Sequence, residues 1–168
     1  MASRTAKIPK LATADVCDAS GRAVDVIALP WRDYGKRLDF AGPVSTLKTI
    51  DDNTHVRTLL EEQGEGRVLI IDGAGSMRSA LVGGNLAALA SQNGWAGIIV
   101  NGCVRDIHEL IDEDIGIKAL ATCPRKSIKN NQGDINIPIS IGGVIVKPGF
   151  WIIADGDGVV VSPELPSL

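Results

Sequence analysis

GGNLAALASQNGWAGIIVNGCVRDIHE, the stretch from Gly83 to Glu109, decides how this chain is read. Two glycines open onto a segment, Asn85 to Asn93, in which Leu86, Leu89 and Ala90 share one face of a short helix. Gly94 is placed to end that helix, because glycine accepts the left-handed conformation a helix C-terminus often needs. Gly97 to Val100 reads as a continuous apolar strand. The segment Asn101-Gly102-Cys103-Val104 is expected to break that strand and deliver Arg105 and Asp106 side by side. In an α/β sheet, ligands bind in the crevice at the carboxyl ends of the strands. The start of the helix and the Arg105-Asp106 pair are therefore expected to share one small site.

Each part has a chemical use. The free amides of Gly83, Gly84, Asn85 and Leu86 form an anion site at a helix N-terminus, suited to a substrate carboxylate. Arg105 offers a planar fork of donors for a carboxylate or for the oxygen of a forming enolate. Asp106 can bind a hard cation such as Mg²⁺, which takes one or two carboxylates and keeps several waters. Glu109, three residues on, falls on the same side of any helix that starts there and could orient those waters. Spacing alone favours a plainer reading, a loop ion pair beside two turning glycines.

Composition narrows the classes. A chain of 168 residues is one domain, residues 1–168, long enough to bury a real core. A net charge of −3 argues against a general nucleic-acid binder, which needs clustered Lys and Arg. No apolar run reaches the ~18 residues of a membrane span, and the opening residues lack the apolar core of a secretory signal. A cytoplasmic protein is expected. Three cysteines (Cys17, Cys103, Cys123) without Cys-x-x-Cys spacing offer neither a disulfide framework nor a structural zinc site. Two histidines, His55 and His108, cannot supply a His-rich metal centre, and both read as solvated helix residues.

Along the chain, residues 8–27 read as an N-terminal helix capped by Thr13, with Asp18 structural. Residues 29–36 read as a loop, and Phe40 to Ile50 as a strand. Asp51-Asp52-Asn53 stops it and caps a helix from Thr54 to Gln63 with an apolar stripe of Val56, Leu59 and Leu60. Val68 to Ile71 is a buried strand. Asp72-Gly73-Ala74-Gly75-Ser76 has the Gly-x-Gly of a dinucleotide turn, but Arg78 stands where the third glycine belongs, so a packing loop is preferred. That defect also counts against a methyltransferase using S-adenosylmethionine. Leu110 to Asp114 reads as a solvated helix end and Ile117 to Thr122 as a strand. Pro124 to Asp134 reads as the most mobile loop. Strands at 137–141, 144–146, 151–154 and 159–161 finish the chain.

Gly84, twenty intervening residues, Arg105-Asp106, two more residues and Glu109 resemble the motif of class II 4-hydroxy-4-methyl-2-oxoglutarate aldolases. That family also contains the regulator of ribonuclease E activity A. The resemblance continues at Ala12–Ala19, Phe40–Val44, Gly66–Gly73 and Ala154–Val159, nearly the whole chain. It implies a layered α/β/α swivelling fold and a homotrimer with active sites between subunits. It also implies a Mg²⁺- or Mn²⁺-dependent aldolase that releases pyruvate from a small 2-oxo acid substrate and decarboxylates oxaloacetate. Catalysis would fall to Arg105 and Asp106, with Asp106 the metal ligand. This chain departs from the pattern at Asn85, where some relatives place an acid near metal-bound water. It also stops soon after its last strand, leaving Glu164 as the only nearby acid to stand in for a longer tail. The other class the resemblance allows is a binding module that inhibits a ribonuclease E-type enzyme. Such an inhibitor has no need of a carboxylate beside its arginine, so Asp106 with Glu109 favours the enzyme.

Overall fold

Parallel strands buried on both faces read as continuous apolar runs, and the centre of this protein is built from four of them. The computed structural model describes residues 10–168. In chain order the helices are α1 (Thr13–Ser20), α2 (Thr54–Leu60), α3 (Gly84–Gln92) and α4 (Ile107–Leu110). The strands begin with β1 (Asp25–Val26), β2 (Arg32–Asp33), β3 (Phe40–Lys48), β4 (Val68–Asp72), β5 (Ala80–Val82) and β6 (Gly97–Val104). They continue with β7 (Gly116–Thr122), β8 (Asp134–Ile135), β9 (Ile139–Ile141), β10 (Val144–Val146), β11 (Trp151–Asp155) and β12 (Gly158–Ser162).

The main sheet runs β1-β12-β11-β3-β4-β6-β7-β2. Its middle, β3-β4-β6-β7, is parallel, and its flanks pair antiparallel. Alternation along each central strand divides the core in two. Leu69 and Ile71 of β4, with Ile98 and Val100 of β6, pack under α2 and α3 around Trp95. Val68, Ile70 and Ile99 face the other way and meet Ile152, Ala154, Val159 and Val161 of β11 and β12. The sheet therefore curls until its two halves enclose a second core, which the β9–β10 hairpin helps to close. On the outer face of β11–β12, α1 covers Ile153 and Val160 with Val16. The result is the expected single-domain α/β fold. No helix of the described residues is long and apolar enough to cross a membrane.

Several expectations need correction. Where a helix over 8–27 was expected, the described part is α-helical only from Thr13 to Ser20, with a 3-10 turn over Gly21–Ala23, and residues 8 and 9 lie outside the described residues. Gly21 turns the chain at φ +54, and Asp25–Val26 pairs with β12 instead. Thr13 is not the cap: its amide and hydroxyl donate to Asp155 at 2.8 and 2.7 Å, tying α1 to the end of β11. Residues 29–36 contain an edge strand, β2, and not only a loop. The helix expected to reach Gln63 ends at Leu60, and Asp52 caps it by accepting from the Thr54 amide and hydroxyl. His55 is half-buried with Nδ1 unpartnered, whereas His108 is exposed as expected.

Two differences matter more. Strand β6 does not break after Val100 but continues to Val104, exchanging β4 for β5 as its neighbour through an irregular register. The segment expected to be most mobile, Pro124 to Asp134, is pinned. Ile128 exchanges backbone hydrogen bonds with Asp51 and Asn53, and Asn130 and Gln132 donate to Asp52. Sequence patterning also gives no warning of Lys118. It is 2% exposed on β7 and paired at 2.9 Å with Asp33 across the β2–β7 ladder.

Candidate active site

A helix N-terminus leaves its first amides without intrahelical partners. In α3 the first helical hydrogen bond runs from Ala87 to the Gly83 carbonyl, at 3.0 Å. The amides of Gly84, Asn85 and Leu86 precede it. Asp106 takes one of them: its Oδ2 accepts from the Gly84 amide at 2.9 Å. One of the three free amides of the anion site expected over Gly83–Leu86 is thus already taken by a side chain, and Asn85 and Leu86 carry what remains for a ligand.

The strand extension explains how Asp106 arrives there. Because β6 runs on to Val104 beside β5, the Arg105 amide bonds to the Val82 carbonyl at 3.0 Å. The chain then turns sharply at Asp106, which adopts the left-handed conformation at φ +60, and the single turn of α4 begins. Aspartate tolerates that conformation better than most residues. Glu109 lies on the same turn, so its carboxylate returns toward Gly84.

The two glycines are needed for this convergence. A Cβ on Gly83 would lie 2.7 Å from Asp106 Oδ2 and 3.3 Å from Arg105 Cγ. A Cβ on Gly84 would collide with the Glu109 carboxylate. Arg105, Asp106 and Glu109 therefore pack on backbone that only glycine leaves bare. Arg105 is half-buried, and its Nη1 reaches the Pro124 carbonyl at 3.4 Å, so among the described residues most of the guanidinium fork is uncommitted.

These groups open onto a cleft of about 180 Å³. Its walls include Gly83, Gly84, Asn85, Leu86, Arg105 and Asp106, all expected from sequence. They also include Asn53, Thr54, Arg57 and Lys129, which sequence reading passed over. Asn53 sits where a helix cap was expected, Arg57 on α2 outside its apolar stripe, and Lys129 in a loop that looked mobile. No local signal places any of them beside Gly84. The buried Asn53 Oδ1 has no partner among the described residues, leaving an acceptor in the cleft wall. Glu109 is exposed beside the cleft and does not line it. Glu164 lies beyond β12, which three intervening strands separate from β6 in the sheet order, and the fold does not bring it to this chain's own cleft.

Neighbouring carboxylates hold the rim together. Asp51 accepts from the Ser76 and Ser79 hydroxyls at 2.6 and 2.9 Å and from Arg78 Nε at 2.8 Å. Burial alone would raise its carboxyl, but these donors outweigh burial and hold it below the usual carboxylate range. The Asp72–Ser76 loop is no dinucleotide turn: Asp72 Oδ1 accepts from the Ala74 amide and the Asn101 amide group, folding it against β6.

As a metal site, the donor set suits a hard cation with a large water shell. No group of three His, Cys, Asp or Glu side chains gathers among the described residues of the single chain. Asp106, with the bare glycine backbone and Glu109 beside it, matches the one or two carboxylates that Mg²⁺ requires.

Comparison with known proteins gives the family. A family model described as RraA-like, Aldolase/RraA, matches residues 13–161. A protein of Cupriavidus necator named "Putative 4-hydroxy-4-methyl-2-oxoglutarate aldolase" is 54% identical over 160 residues, 92% of this chain and 97% of that one. A similarly named protein of Arabidopsis thaliana is 51% identical over 156 residues, 90% of this chain and 94% of its own length. Among solved structures, the RNA-processing inhibitor RraA from Thermus thermophilis has a TM-score of 0.91 at 44% identity, covering 94% of this chain and 95% of that chain. An S-adenosylmethionine:2-dimethylmenaquinone methyltransferase from Geobacillus kaustophilus has a TM-score of 0.90 at 42% identity, covering 92% and 96%. With the family model spanning almost every element and half the residues identical in full-length relatives, this chain belongs to the RraA-like family of aldolases and RraA proteins.

Proposed function

We propose that this protein is a divalent-metal-dependent pyruvate aldolase acting on 4-hydroxy-4-methyl-2-oxoglutarate and related 4-hydroxy-2-oxo diacids, with oxaloacetate decarboxylation as a side activity. The observation that carries this reading is the packing of Arg105 and Asp106 on the Gly83-Gly84 backbone, at the mouth of α3 and inside one cleft. The names of the relatives at about half identity support the aldolase class.

In this reading the substrate carboxylate sits on the Asn85 and Leu86 amides, with the positive end of α3 behind them. Arg105 presents its fork to the keto oxygen. Breaking the C3–C4 bond leaves its electron pair on the pyruvyl half as an enolate, while the C4 hydroxyl loses its proton and becomes a carbonyl. Arg105 offsets the charge that grows on the enolate oxygen. The enolate then takes a proton at C3 and leaves as pyruvate. With oxaloacetate the same bond releases carbon dioxide. Asp106 would hold Mg²⁺ or Mn²⁺, with Glu109 and Asn85 orienting its waters, and the cation when bound supplies a Lewis acid at the keto oxygen. Asp106 and Glu109 are exposed in the single chain, which suits closure by a neighbouring subunit of a homotrimer, where Glu164 of an adjacent copy could contribute.

The test is pyruvate release from 4-hydroxy-4-methyl-2-oxoglutarate. Activity should vanish after metal is stripped with EDTA and return with Mg²⁺ or Mn²⁺, since all-oxygen sites favour hard cations. Full turnover in excess EDTA would sink the reading. Oxalate, an analogue of the pyruvate enolate, should inhibit competitively, and inhibition no better than by acetate would exclude an enolate step.

The likeness to the RNA-processing inhibitor favours a second reading, docking on a ribonuclease E-type enzyme. It predicts inhibition of that nuclease by wild type and by Asp106→Asn alike.

A further inference from the structure

A carboxylate taken out of water without a countercharge must have its oxygens filled by donors, and Asp52 is 1% exposed with no cation paired to it among the described residues. Its Oδ1 accepts from the Thr54 amide at 2.9 Å and hydroxyl at 2.7 Å, at the start of α2. Its Oδ2 accepts from the amides of Asn130 at 2.7 Å and Gln132 at 3.3 Å. Immediately before Asn130 in the chain stands Lys129, which lines the same cleft as Arg105. Flanking bonds run from the Asn53 amide to the Ile128 carbonyl and from the Ile128 amide to the Asp51 carbonyl. One buried carboxylate thus joins two further side-chain bonds, from the Asn131 amide to the Thr54 hydroxyl and from the Thr49 hydroxyl to the Gln132 carbonyl, in fastening this polar segment to the helix start that supplies Asn53 and Thr54 to the same cleft.

We propose that Asp52 is a positioning residue: it latches residues 128–132 against α2 and so holds the Lys129 ammonium at the cleft for an anionic substrate. The proposal rests on the cleft being the substrate site. Asp52→Asn keeps the shape but turns an amino group toward two N–H donors, which releases the segment.

Two measurements test it. Amide hydrogen exchange on wild type should show Asn130 and Gln132 protected relative to Lys129. Asp52→Asn should lose that protection within 128–132 while β4 and β6 stay protected. Unprotected Asn130 and Gln132 amides in wild type overturn the latch, and that comparison stands even if the variant does not fold. Binding is read by calorimetry with 2-oxoglutarate and Mg²⁺, a diacid with no 4-hydroxyl to cleave. Asp52→Asn and Lys129→Gln should each weaken it about tenfold, the loss of one charged donor. The double variant should be no weaker than either single, because Asp52 acts through Lys129. Additive losses, or no loss in Asp52→Asn, overturn the proposal. Should wild type bind this diacid yet release no pyruvate from any 4-hydroxy-2-oxo acid, the aldolase reading fails, while exchange and coupling still decide the latch.

Discussion

Asp106 occupies the left-handed region at φ +60, so its replacement must be chosen with the backbone in mind. Asparagine tolerates that region as aspartate does. Asp106→Asn therefore removes charge with little strain, and metal affinity by calorimetry and pyruvate release should both collapse. Wild-type values for both would place the metal elsewhere. Arg105→Lys keeps a positive charge but loses the planar fork. Metal should still bind, while turnover falls by about 10²-fold or more, the loss expected for one oxyanion donor. Gly84→Ala tests the backbone beneath them. Its Cβ would displace Glu109, so metal affinity should fall even though no ligand is changed. Unaltered affinity would show that Glu109 has no part in the site.

At the scale of elements, the edge strand β2 depends on an ion pair that hydropathy cannot reveal. Lys118 is almost fully buried on β7, and Asp33 is its partner. Removing one member leaves an uncompensated charge inside the protein. Asp33→Asn should cost about 2–3 kcal/mol in urea unfolding, below the range for fully buried pairs because Asp33 keeps a quarter of its surface in water. A change within about 0.5 kcal/mol, typical of surface sites, would mean that water reaches Lys118. Helix α3 illustrates the reverse case. Its stripe, its opening glycines and its end at Gly94 (φ +76) are all legible in the sequence, because each depends on residues within one or two turns. The length of β6 was not legible. Asn101-Gly102 looks like a break, yet Cys103 and Val104 pair with β5 and β7 on both sides.

For the whole molecule, several carboxylates tie distant segments together. Asp51 joins the end of β3 to the Ser76–Ser79 loop, Asp52 joins α2 to residues 130–132, and Asp155 joins β11 to α1. Burial pushes each carboxyl up, but hydrogen bonds to the charged form prevail and hold all three below the usual range. A carboxyl whose folded pKa lies below its unfolded value gives stability that is present above the unfolded pKa. That stability is lost as pH falls through the folded pKa. Thermal stability should therefore be flat near neutrality and decline below about pH 4, the ordinary aspartate range. Asp155→Asn should flatten part of that decline. A variant whose acid curve parallels wild type would remove Asp155 from this set.

By itself the sequence determined the elements whose causes are local. These are the buried parallel strands, the amphipathic stripes of α2 and α3, and the motif from Gly84 through Arg105-Asp106 to Glu109. That motif was legible through its resemblance to a family pattern, since spacing alone favoured a plain loop ion pair; its parts converge because one helix and one strand join them. Tertiary structure alone decided the rest of the cleft. Asn53, Arg57 and Lys129 reach it through the β3–α2 connection and a segment near residue 130, and no periodicity relates those stretches to Gly84. It also decided that Asp106 spends one oxygen on the Gly84 amide and that the polar loop is fastened instead of free. The physical reason is common to both. Hydrogen bonds between residues far apart in the chain form only when the curled sheet has brought their backbones together.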